Sequence, residues 1–72
     1  RHERLLALNE ALQALEGIDA RLAQLVELRF FVGMSAEETA ELMGLSTTTL
    51  KRDWRKARAY LHARLGHAGI LH

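Results

Sequence analysis

Cysteine is absent from this chain of 72 residues, which excludes a disulfide framework and a thiolate metal site. A small domain that folds without such staples suits a reducing cytoplasm. Proline is absent as well, so helix ends have to be marked by glycines and capping side chains. Unbroken apolar runs reach only a few residues, far short of the roughly 20 that span a bilayer, and no signal-peptide pattern opens the chain. A soluble protein with no membrane partner is expected. The chain opens at Arg1 rather than Met, as a piece of something longer would.

What is present suits a folded domain: apolar residues make up 49% and charged ones 26%. A chain of this size buries only about 60% of its unfolded surface, so no large catalytic cleft is expected. Its net charge of +1 conceals an asymmetry. Residues 1–45 carry four arginines against eight acids, a balance of −4, whereas residues 46–72 carry six basic residues against Asp53 alone, a balance of +5. The stretch "STTTLKRDWRKAR", Ser46 to Arg58, holds five of the ten Lys and Arg residues.

Punctuation divides the chain into four segments. Leu5, Leu8, Leu12 and Leu15 recur at helical spacing before Gly17, which predicts a first helix. Asp19 can cap a second, with Leu22, Leu25, Val26 and Phe30 supplying apolar surface until Gly33. "SAEE", Ser35 to Glu38, fits the S-x-x-E capping box of a short third helix, which Gly44 ends after Met43. Ser46 or Thr47 then caps a fourth.

Turning each residue of the fourth helix by roughly 100° places Leu61, Trp54, Leu65 and Ala57 within about 60° of Leu50. That stripe is expected to face a core. Arg58, Lys51, Arg55, Arg52 and Lys56 fall between roughly 80° and 240°, with His62 among them. Like charges at i,i+3 and i,i+4 repel, so a purely structural helix would have mixed in acids. Asp53, the only acid, falls on the flank beside Tyr60, within reach of Lys56 or Arg64.

A short helix closed by glycine and followed by a longer one with a basic outer face is the helix-turn-helix arrangement, whose second helix enters the major groove of DNA. Ala40, Gly44 and Leu50 stand at the spacing such a unit needs: a small residue at the helix contact, a turn glycine and a buried aliphatic. Arg52 and Arg55 are the candidate base readers, because a guanidinium fork matches O6 and N7 of guanine. Lys56 and Arg58, at the edges of the basic arc, are candidates for backbone phosphates. Thr47, Thr48 and Thr49 open the helix, where hydroxyls and free N–H groups favour a phosphate, although capping alone accounts for one of them.

Other residue types are read as structural. Trp54, between Leu50 and Ala57, is assigned to the core, and so are Phe30 and Phe31, one of which is a candidate for an exposed protein-binding surface. His2, His62, His67 and His72 lack metal-site spacing, so no metal or other cofactor is expected. Glu37, Glu38 and Glu41 are dipole-stabilising surface acids rather than a catalytic pair, and no enzyme activity is expected.

The stretch "VELRFFVGMSAEETAELMGLSTTTLKRDWRKARAYL" resembles region 4 of bacterial sigma factors of the small, extracytoplasmic-function (ECF) type. The likeness runs from about Leu5 to Leu65 on the framework LRFF-G-S-EE-A-GLS-T-KRDW-ARA-L. It implies a cytoplasmic subunit of transcription initiation that grips the promoter minus-35 element as double-stranded DNA and contacts the β flap of RNA polymerase. An anti-sigma factor is a further implied partner. By position, Arg52, Arg55 and Lys56 match groove-facing residues, while Thr47, Thr48, Thr49 and Lys51 match those near phosphates. Thr39 stands where an aliphatic is usual, Thr48 where many members have glycine and Asp53 where a basic residue is common.

The expected fold is thus all-α, a small four-helix domain over residues 1–66 with a C-terminal helix-turn-helix, followed by an unassigned tail, 67–72. Two alternatives stand beside promoter binding: a protein-interaction module held by an anti-sigma factor or polymerase, and the DNA-binding domain of a response-regulator-type transcription factor.

Overall fold

The computed structural model describes residues 2–66, so the tail 67–72, with His67 and His72, lies outside the described residues. Four α-helices form the domain: α1 (His2–Ile18), α2 (Ala20–Val26), α3 (Ala36–Met43) and α4 (Thr47–Leu65). A π-helical segment, Glu27–Val32, continues α2. There is no strand among the described residues.

The helix ends follow the expected chemistry, with one difference at the end of α1 and one at the end of α2. Gly17 does not stop α1, which runs on to Ile18 before Asp19 turns the chain. The Asp19 carboxylate accepts from the backbone N–H groups of Arg21 (3.1 Å) and Leu22 (3.4 Å), satisfying donors that α2 would otherwise leave unpaired. At the far end the chain widens to the π geometry and closes at Gly33, whose φ of 85° is open to glycine without a steric cost. The Ser35 hydroxyl accepts from Glu38 N–H and the Glu38 carboxylate accepts from Ser35 N–H, both at 3.0 Å, completing the capping box of α3. Gly44 (φ 70°) and Leu45 return N–H groups to the Glu41 and Ala40 carbonyls, the paired pattern of a Schellman turn. Ser46, rather than Thr47, caps α4 by accepting from Thr49 N–H at 3.1 Å.

Packing divides into two clusters joined by one side chain. Leu8, Ala11, Leu12 and Leu15 of α1 meet Leu22, Ala23 and Val26 of α2 and Ala57 and Leu61 of α4. Leu25, Ala40 and Leu50 form the second, which seats α4 on α3. Trp54 packs against both. Ala40 and Leu50 are nearly solvent-free, so the small residue and the aliphatic do meet across the three-residue turn. Thr39 is also fully buried where an aliphatic was the expected type. Its hydroxyl donates to the Ser35 carbonyl at 2.7 Å, so the helix itself satisfies the polar atom.

Two apolar expectations are corrected. Phe30 and Phe31 are 38% and 54% exposed, outside the core assigned to them. The two phenyl rings pack edge to face, with centroids 5.1 Å apart, at the surface. The π turn is the physical reason for the Phe positions: its wider winding breaks the 3.6-residue periodicity that had placed them inward.

Candidate nucleic-acid interface

The basic stretch occupies the outer side of α4. Leu50, Ala57 and Leu61 are buried, while Lys51, Arg52, Arg55 and Lys56 are exposed. Arg58 is half-buried, and its Nε is shielded from solvent with no hydrogen-bond partner. Thr47 and Thr48 are exposed in the first turn; Thr49 is half-buried and accepts from the Ser46 hydroxyl at 3.0 Å. One face of one helix therefore carries exposed cations next to a helix N-terminus, where N–H groups favour anions.

Two contacts hold that helix from behind. Asp53 is buried, and its Oδ2 accepts from Nη2 of Arg21 on α2 at 2.7 Å. This corrects the flank position and the Lys56 or Arg64 pairing expected for it. Trp54 is half-buried rather than fully enclosed, and the Arg29 guanidinium lies over its ring at 5.2 Å. Arg29 also donates to the Met34 carbonyl at 3.0 Å, tying the end of the π segment to the face of α4. Because part of the indole is wet, Trp54→Ala is expected to cost about 2–3 kcal/mol, below the ~3–5 of a fully buried aromatic. Thermal melting followed by circular dichroism checks this, and a cost under about 1 kcal/mol would remove the indole from the core.

A second surface is formed by α1 and the π segment. Leu5, Leu8 and Leu12 of α1 and Phe31 and Val32 of the π segment line a groove of about 490 Å³, edged by Glu16 and Glu27. No charge or spacing signal marks it; the only sequence pointer was the Phe pair.

Among the described residues no group of three or more His, Asp or Glu side chains could hold a metal ion, and no helix is long and apolar enough to cross a membrane. No curated protein and no solved structure matches the chain. The family model described as ECF sigma factor does match, over residues 1–67. That span takes in all four helices and the basic face, and the family's role is in transcription initiation rather than in an enzyme reaction. The chain belongs to the ECF sigma factor family.

Proposed function

We propose that this domain is region 4 of its sigma factor and that α4 docks in the major groove of the promoter minus-35 element, as the second helix of a helix-turn-helix. The observation that carries the reading is the outward presentation of Lys51, Arg52, Arg55 and Lys56 opposite a buried Leu50, Ala57 and Leu61. Arg52 and Arg55 read base edges, Lys51, Lys56 and Arg58 meet phosphates, and Thr47, Thr48 and Thr49 line the N-terminal phosphate position. Arg52→Ala and Arg55→Ala are each expected to weaken binding to a selected duplex by about 1–3 kcal/mol and to relax preference at particular base pairs. Fluorescence anisotropy with selected and random duplexes measures both. Equal losses on the two duplexes would contradict base reading.

The apolar groove favours a protein contact alongside DNA, namely the β flap of RNA polymerase in the cytoplasm, with an anti-sigma factor as a competitor for the same surface. Exposed Phe31 at its edge makes the test direct. Phe31→Glu is expected to leave folding and DNA affinity intact while weakening capture by a β-flap fragment about tenfold or more, the scale of losing one apolar anchor. Unchanged capture would move the polymerase contact elsewhere.

A further inference from the structure

We propose that the Arg21–Asp53 ion pair is a positioning contact that sets the rotation of α4 about its own axis, and thereby the base edges that Arg52 and Arg55 reach. The proposal rests on the DNA reading above and deepens it.

Asp53 is the only acid on α4, and it points inward, with its side chain 2% exposed. A carboxylate that merely balanced the helix's charge would lie on the basic face, in water. The apolar seat of α4 is a soft stop: Leu50 and Leu61 are held by non-directional burial, Ala57 has no shape to resist a small roll, and Trp54 is held by packing and by Arg29 over its ring at 5.2 Å, contacts that tolerate a wider range of geometry than a hydrogen bond does. A roll of about 20° carries a side-chain tip about 6 Å from the axis through about 2 Å, several times the width of the hydrogen-bond distance window. Base reading by Arg52 and Arg55 therefore needs a finer stop than the leucines supply.

The ion pair is such a stop. A buried carboxylate is tolerated only where its partner meets it, and here one guanidinium nitrogen does so at 2.7 Å. Arg21 stands on the first turn of α2, beside buried Leu22 and Ala23, so its backbone is fixed by the core. Asp53 shares a rigid helix with Arg52, one residue before it, and Arg55, two residues after it. Stability alone does not call for the pair, since well-packed apolar replacements of buried ion pairs are often neutral.

The experiment selects bound sequences from a random duplex pool with the 72-residue chain and three variants: Arg21→Met combined with Asp53→Leu, Arg21→Gln, and Arg21→Lys. Circular dichroism melting of each accompanies the selection. The paired apolar variant is expected to melt cooperatively and to bind random duplex as the parent does. Its discrimination between the parent's motif and scrambled duplex should fall about tenfold or more, the worth of one bidentate base contact. Arg21→Gln changes a half-exposed position and keeps an amide donor, so it tests the same loss should the paired variant unfold; a several-fold fall is expected. Arg21→Lys restores a cation and should recover the parent's motif. Folded variants that select that motif as strongly as the parent overturn the proposal while leaving the DNA reading in place. A parent that selects no motif overturns both.

Discussion

Leu50→Ala is expected to lower the melting temperature by about 15–25 °C. Leu50 is 1% exposed and joins Leu25 and Ala40 in the cluster that seats α4 on α3. Truncating a buried leucine costs about 2–5 kcal/mol, because contacts are lost and the cavity closes only in part. A domain of this size has only about 5–10 kcal/mol in total, and each kcal/mol moves its midpoint by about 4–8 °C. Leu42→Ala, at a leucine 61% exposed on α3, is the control and should change stability by less than about 0.5 kcal/mol. Melting curves of the two variants against the parent check the contrast. Equal effects would mean that α4 is not seated through Leu50.

Raising salt from 50 to 200 mM is expected to weaken DNA binding about 40-fold, with a log–log slope near −3 for the three phosphates met by Lys51, Lys56 and Arg58. The cations responsible are those gathered between Lys51 and Arg58. Lys56→Ala and Arg58→Ala should each flatten the slope by about one unit and weaken selected and random duplexes alike. Anisotropy titrations at several salt concentrations give the slope. Binding through the apolar groove of α1 and the π segment would scarcely respond, so a slope near zero would assign the interaction to that face.

Much of the scaffold was legible because its signals are local. The capping box of Ser35 and Glu38, the turn at Gly44 and the Ser46 cap each need only neighbouring residues, and all three form. The basic face of α4 follows from the helical period, and its exposed members stand where the period puts them, while Arg58 lies partly inside the boundary. Asp53 shows the limit of that method. A wheel places it at the edge of the apolar arc, but whether an edge residue is covered depends on what lies opposite, and Arg21 is 32 residues away. The π segment was hidden for a different reason. In "ELRFFV" apolar residues fall on nearly every side, so an α and a π winding bury equally plausible sets. The groove it helps to form was hinted at only by the Phe pair, for the same cause, since Phe31 in its lining was assigned to the interior.

The most direct test of the account is a map of backbone amide shifts in the nitrogen-15-labelled domain as a duplex selected by the parent from random sequence is added. The largest changes are expected between Ser46 and Arg58, concentrated at Thr47, Thr48, Arg52, Arg55 and Lys56, with Leu5, Leu12 and Val32 little affected. Changes centred on the groove of α1 and the π segment, with α4 silent, would contradict it.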